Sequence, residues 1–218
     1  MFRKNILFGA GIALMSLGSA AVASTVSLTG GTPVVALGAG SPAGQDFVTQ
    51  LLAAGVDTLY SGPLQLNARG PVEVTFSLVA AESGFSNSLL FDDTTVITET
   101  VGNASVADFL TDTLLGQTFS TSFAGGDLAA LLSFDINGDG TAEFGSDDDE
   151  FGIFAAAADI GSLSTFFLAL DDSGASGDDN HDDILVRVEV AAVPLPAGGL
   201  LLAGGLGGLV ALRRRRKS

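Results

Sequence analysis

Hydrophobic and polar residues alternate along several stretches of the chain. Residues 72–78 read Val-Glu-Val-Thr-Phe-Ser-Leu, and residues 184–190 repeat the pattern, so that Arg187 and Glu189 are expected to face solvent. Successive side chains of a strand point to opposite faces of a sheet, and a period of two therefore indicates a half-buried strand. Residues 163–170 are mostly apolar and predict a more fully buried strand.

Helical signals are weak by comparison. A short helix is predicted over residues 42–54, where Ser41 can cap its start, and a second from Ser105, where Ser-x-x-Asp resembles a capping box. Residues 128–134 fit a helix or a strand, with a strand preferred. Many short strands separated by Gly, Asp and Ser favour one mainly β domain over residues 24–190, an antiparallel β-sandwich that we expect to be jelly-roll-like.

The first 23 residues have the layout of a secretory signal peptide. Arg3 and Lys4 precede an apolar stretch over residues 6–17, and small residues lead to a predicted cleavage between Ala23 and Ser24. An ordinary transmembrane anchor is the alternative, but the apolar stretch is short for a membrane span. We therefore predict export of the residues that follow.

The chain ends in a proline motif, a Gly/Leu-rich run and a basic cluster. The motif is Val193, Pro194, Leu195, Pro196 and Ala197, and the cluster is Arg213, Arg214, Arg215 and Arg216. The run predicts a transmembrane helix over about residues 195–212, which is near the minimum length for a bilayer span. The basic cluster should stay cytoplasmic and the body outside, as the predicted signal peptide also requires.

This order of motif, apolar run and basic cluster resembles the VPLPA variant of the PEP-CTERM sorting signal. The resemblance implies processing near the proline motif by an exosortase, a membrane-embedded transpeptidase of Gram-negative bacteria. It also implies passage through the inner membrane, transient anchoring by the C-terminal helix, and delivery to the cell surface or extracellular matrix. Retention of the tail as a plain membrane anchor stays open.

The residues between the two tags are strongly acidic. All 25 acidic residues lie between Asp46 and Glu189, and among these residues only Arg69 and Arg187 are basic, which gives a net charge of −23. This charge argues against binding to nucleic acids or anionic lipids, which requires basic patches, and favours cations as ligands. The chain contains no cysteine, so stability must come from a packed core or from bound ions.

Two acidic loops are candidate calcium sites, because calcium is bound by six to eight oxygen atoms. The first lies between two predicted strands and offers Asp171, Asp172, Asp178, Asp179, Asp182 and Asp183. The second, weaker candidate offers Asp135, Asn137, Asp139 and Thr141 in a D-x-N-x-D-G pattern, as in the opening of an EF-hand loop, but Ser146 occupies the position of the final acidic ligand. Solvated acidic loops without an ion are the alternative for both.

A second resemblance concerns the body of the chain. Glu82, Gly84, Phe85 and Asn87, followed later by Asp179, Asp182 and Asp183, are similar to two elements of surface domains that accompany PEP-CTERM tails, the later one also found in DUF4114-type domains. Ser83 and His181 depart from those patterns. The resemblance implies a β-sandwich of unassigned function with the late acids as ion ligands.

These features favour a non-enzymatic protein of the cell surface or exopolysaccharide matrix, with calcium as the expected cofactor and an exosortase as the expected partner. One histidine, His181, and the lack of cysteine argue against histidine-dependent triads and multi-histidine zinc sites. A calcium-dependent carbohydrate-binding module and a glycan-active enzyme with two carboxylates are the alternatives. Both usually present tryptophan or tyrosine to sugars, whereas this chain has no Trp and one Tyr.

Overall fold

The computed structural model of the chain describes residues 25–37, 47–82, 85–100, 102–172 and 181–193, together with Gly205. The predicted signal peptide and basic cluster lie outside these residues, as do Asp178, Asp179, all of the sorting motif after Val193 and the predicted transmembrane segment apart from Gly205. In the described part of the chain, no helix has the length and apolar character needed to cross a bilayer.

Strands account for most of the regular structure. In chain order they are β1 (Val26–Ala36), β2 (Thr58–Ala68), β3 (Val72–Ala81), β4 (Ser88–Phe91), β5 (Thr94–Thr98), β6 (Ala104–Ser105), β7 (Thr118–Phe123), β8 (Gly126–Asp127), β9 (Leu132–Asp135), β10 (Phe144–Gly145), β11 (Phe151–Ala155), β12 (Thr165–Leu170) and β13 (Ile184–Ala192). The described residues also form one short α-helix, α1 (Val48–Ala53), and two 3₁₀ turns, Leu114–Gly116 and Ala129–Leu131.

The strands form two antiparallel sheets. The large sheet has the order β1-β2-β11-β12-β13-β3-β6, with β7 also paired to β3 and β8 also paired to β2. The small sheet has the order β10-β9-β4-β5. This arrangement is mainly β and consistent with the predicted β-sandwich.

The main hydrophobic core includes buried residues of both sheets. Phe134 of the small sheet meets Phe151 of the large sheet with 5.4 Å between ring centroids, and Phe76 meets Phe91 at 5.9 Å. All but Phe91 are fully buried. The alternation at residues 72–78 places Phe76 in this core, as the sequence pattern predicts.

The opposite face of the large sheet is also covered. Helix α1 contributes Leu51, and residues 106–112, here called the cover segment, contribute Phe109, which packs on Phe167 at 5.9 Å. This cover buries Arg187, of which 5% is exposed, so the expectation that Arg187 faces solvent is wrong. Its Nη1 donates hydrogen bonds to the carbonyl oxygens of Phe109 (2.7 Å) and Asp112 (3.0 Å).

The helix predictions are correct in part. Helix α1 lies within the predicted residues 42–54, but no helix begins at Ser105, which ends strand β6. Instead, an Asp108 carboxylate oxygen accepts the backbone N–H of Leu110 at 2.8 Å and forms a turn. The ambiguous stretch at residues 128–134 divides into a 3₁₀ turn, Ala129–Leu131, followed by β9.

Candidate functional site

The weaker candidate loop begins where β9 ends, at Asp135. This carboxylate is 1% exposed and accepts backbone N–H bonds from Asn137 (3.0 Å), Gly138 (2.7 Å) and Gly140 (2.7 Å). Burial alone would raise the pKa of Asp135, but these backbone donors outweigh it and hold the pKa below its usual range. The loop is therefore organised around Asp135 by its own backbone.

The structure joins Asp135 to two further acids of the same loop. Carboxylate oxygens of Asp135, Asp139 and Glu143 lie within 4.8 Å of one another. Asp139 accepts the N–H of Thr141 at 2.8 Å, and Glu143 accepts the N–H of Ile136 at 2.9 Å. Glu143 was not among the predicted ligands, although its position four residues after Asp139 is a signal that could have suggested it.

We expect Asp135→Asn to lower the free energy of unfolding by about 1.5–3 kcal/mol, because a neutral amide cannot accept all three backbone N–H groups as a carboxylate does. The matched control Asp139→Asn, at an exposed position, should change it by less than about 0.5 kcal/mol. Urea unfolding in EDTA measures both. An Asp135→Asn loss no larger than the control's would contradict this role.

The stabilisation by Asp135, measured by urea unfolding, should depend on pH in a direction set by the shift of its pKa. The folded-state pKa of Asp135 lies below its value in the unfolded chain. The stabilisation is therefore complete above about pH 4 and is lost as the pH falls through the folded-state pKa. The difference between the original chain and Asp135→Asn should accordingly shrink in acid.

The first candidate loop connects β12 to β13, and the structure describes both of its ends. Asp171 and Asp182 are buried, at 2% and 4% exposed, whereas Asp183 is half-buried. The backbone N–H of Asp172 donates to Asp183 Oδ2 at 2.6 Å. The two ends of the loop are thus tied together through these acids.

The open end of the β4–β5 hairpin meets this loop. Asn87 immediately precedes β4 and Glu99 immediately follows β5, and the backbone N–H of Glu99 donates to the Asn87 carbonyl at 2.8 Å. Asn87 Nδ2 donates to Asp172 Oδ2 at 2.8 Å. Asn87 and Glu99 are 0% and 2% exposed. No sequence pattern indicated Glu99 as a site residue, and Asn87 was part only of the resemblance to surface domains that accompany PEP-CTERM tails.

Glu99 lies in an unfavourable place for a negative charge. The pKa of Glu99 is raised to about 7, mainly by burial and to a smaller extent by repulsion from the charges of Asp172 and Asp183. Hydrogen bonds from Asn87 act in the opposite direction and lower the pKa. The two described arginines lie elsewhere: Arg69 is exposed, and Arg187 is bound to the cover segment. No arginine in the described residues therefore neutralises this group of acids.

His181 is buried and has contacts typical of a structural residue. It is 3% exposed, lies at φ 56°, and its Nε2 is 2.8 Å from the carbonyl oxygen of Asp149. Its ring packs on Gly152, where an added Cβ would come within 2.6 Å of His181 Cδ2. This close packing fits a residue that fixes the end of the β12–β13 loop against β11.

A groove in the described residues has a volume of about 570 Å³ and is acidic. Its lining includes Asp92, Asp93, Asp127, Asp147 and Asp148. No aromatic ring is among the residues that line it. The groove therefore lacks the flat apolar surface on which protein sites usually stack sugar rings.

Comparisons with known proteins return no match for this chain among family models, curated sequences or solved structures.

Proposed function

We propose that this chain is an exported, non-enzymatic protein of the bacterial cell surface or exopolysaccharide matrix, sorted by an exosortase-type transpeptidase. The ordered C-terminal tail carries this proposal: the proline motif from Val193, the Gly/Leu-rich run and the cluster Arg213–Arg216 follow one another as in a sorting signal. The signal peptide predicted at the other end requires the same orientation in the membrane.

The position of the tail relative to the fold supports the proposal. The last strand, β13, ends at Ala192, and Val193 is 37% exposed directly after it. The proline motif thus begins where the chain leaves the sheet. A membrane enzyme could act there without unfolding the body.

The body itself is suited to a structural role outside the cell. A net charge of −23 between the tags keeps it away from anionic membranes and nucleic acids. The acidic groove without an aromatic lining favours this role over a carbohydrate-binding module or a glycan-active enzyme. Hydrolysis of a polysaccharide, abolished by a single carboxylate substitution, would overturn the non-enzymatic proposal.

Replacing Arg213–Arg216 by alanine tests the sorting step. We expect the variant to be exported but to accumulate unprocessed in the membrane fraction, because the basic cluster sets the position of the tail. Cell fractionation and the mass of the product measure this outcome. Arg69→Ala, which removes an exposed arginine of the body, is the control and should be processed normally. Normal processing of the Arg213–Arg216 variant would contradict the role of the cluster.

A further inference from the structure

Two buried side-chain oxygens at the open end of the β4–β5 hairpin accept no hydrogen bond in the described part of the chain. They are Asn87 Oδ1 and Glu99 Oε2, on residues that are 0% and 2% exposed. Buried polar atoms are almost always paired, because a buried atom without a partner loses its hydrogen bonds to water and gains none in return. An unpaired acceptor on each of two adjoining residues indicates that something else contacts them.

The surroundings of these oxygens indicate which kind of group is missing. Asn87 contacts the carboxylate of Asp172, and Asp172 in turn donates its backbone N–H to the carboxylate of Asp183. The charges of both aspartates repel the Glu99 carboxylate. Three acids and an amide therefore adjoin one another at a point where a positive charge would relieve their repulsion.

We propose that this junction is a divalent-cation site, in which Asn87, Glu99, Asp172 and Asp183 supply the oxygen ligands and calcium is the preferred ion. Carboxylate and amide oxygens are the ligands that calcium takes in proteins, and calcium accepts a flexible coordination geometry. Magnesium requires a near-ideal octahedron and retains its waters, so it should bind more weakly.

A cation here joins parts of the molecule that are distant in sequence. Asn87 and Glu99 flank the β4–β5 hairpin of the small sheet, whereas Asp172 and Asp183 belong to the loop between two central strands of the large sheet. The ion would therefore link the two sheets of a chain that has no cysteine for a disulfide. Binding of a cation here does not depend on the proposed sorting, because the four ligands all lie in the body of the chain.

The loop at Asp135 is a different case and serves as the internal control. Asp135, Asp139 and Glu143 are close together, but each accepts a backbone N–H from its own loop. Those donors neutralise part of the charge without an ion. Neutralising one acid in each cluster should therefore have different effects: the rise in melting temperature with calcium should be lost at the proposed site and kept at the Asp135 loop.

The first experiment is a thermal melt of the full-length chain, purified in mild detergent and stripped with EDTA. At 10 mM calcium chloride, an affinity typical of extracellular sites should raise the melting temperature by about 4–8 °C. Magnesium chloride at the same concentration should give a clearly smaller rise. A melting temperature that calcium leaves unchanged would overturn the proposal.

Glu99→Gln, which keeps the shape of the side chain and removes its charge, identifies the site. Without metal, this variant should melt at the same temperature as the original chain or higher, because the repulsion from Asp172 and Asp183 is relieved. Its rise with calcium should be lost, whereas Asp139→Asn should keep the full rise. A rise that persists in Glu99→Gln, or that disappears in Asp139→Asn instead, would place the ion elsewhere and refute the assignment.

Asn87→Asp is a second variant, which tests the proposed site even if Glu99→Gln fails to fold. It keeps an oxygen ligand and adds a charge, so it should lower the melting temperature in EDTA and increase the rise with calcium. Terbium luminescence, displaced by calcium, gives the affinity of each variant directly. Equal or weaker calcium binding by Asn87→Asp would also count against the proposed ligand set.

Discussion

Replacing Arg187 by alanine should lower the free energy of unfolding by about 2–4 kcal/mol and the melting temperature by about 5–12 °C. The Arg187 guanidinium lies beneath the cover segment and donates to the carbonyl oxygens of Phe109 and Asp112. Removing it leaves both carbonyls without this donor and deprives the cover segment of its polar attachment to β13. Chemical denaturation measures the loss.

The chain offers two matched controls for this prediction. Arg69→Ala removes an exposed arginine and should change the free energy of unfolding by less than about 0.5 kcal/mol. Glu189→Gln removes the acid 3.3 Å from Arg187 Nε; because Glu189 is 48% exposed, the cost should be below about 1 kcal/mol. A loss in Arg187→Ala as small as that in Arg69→Ala would show that the cover segment is held by apolar packing alone.

Phe134→Ala should be at least as destabilising, at about 3–5 kcal/mol, because it opens a cavity in the core between the sheets. Phe134 is fully buried in β9 of the small sheet and lies 5.4 Å from Phe151 of the large sheet. The sheets are too tightly packed to close around such a cavity completely. The free energy of unfolding in urea again provides the measurement.

Phe85→Ala is the control for Phe134→Ala, since 58% of Phe85 is exposed. We expect it to cost less than about 1 kcal/mol. If Phe134→Ala were equally mild, the two sheets would not share the tightly packed core described above, and the sandwich arrangement itself would need revision.

The strands were predictable where apolar and polar residues alternate with a period of two, because this alternation directly reflects which side chains are buried. Residues 72–78 and 184–190 lie within β3 and β13, as expected. The environment of Arg187 was not predictable, because the pattern shows which side chains share a face but not what covers that face. The cover segment lies about 75 residues away from Arg187 in sequence, and no local signal connects the two.

The helix expected at Ser105 shows a related limit. Ser-x-x-Asp suits a capping box, but the Asp108 carboxylate closes a turn on Leu110 instead. Ser, Asp and Asn side chains bond to nearby backbone in several ways, and local sequence does not determine which one occurs. The anchoring of Phe109 and Arg187 by the rest of the fold favours the turn.

The candidate cation site combines residues that a local sequence pattern indicates with residues whose position depends on contacts distant in sequence. Asp172 and Asp183 were visible as part of an acidic run beside a predicted strand. Asn87 is 85 residues from Asp172, and its amide reaches that carboxylate only because the hairpin of the small sheet ends beside the β12–β13 loop. The sequence pattern thus indicated the two candidate ligands that lie in one loop, but not the two whose position depends on the packing of the two sheets.

The position of β13 has a mechanical consequence. The tail follows a strand inside the large sheet, paired with β12 on one side and along its whole length with β3 on the other. If the tail is held at the cell surface as proposed, a pulling force on the protein would load this strand lengthwise and shear both ladders together. An edge strand could be peeled off pair by pair, at lower force. The rate of forced unfolding, rather than equilibrium stability, would then determine how long the protein stays attached under flow.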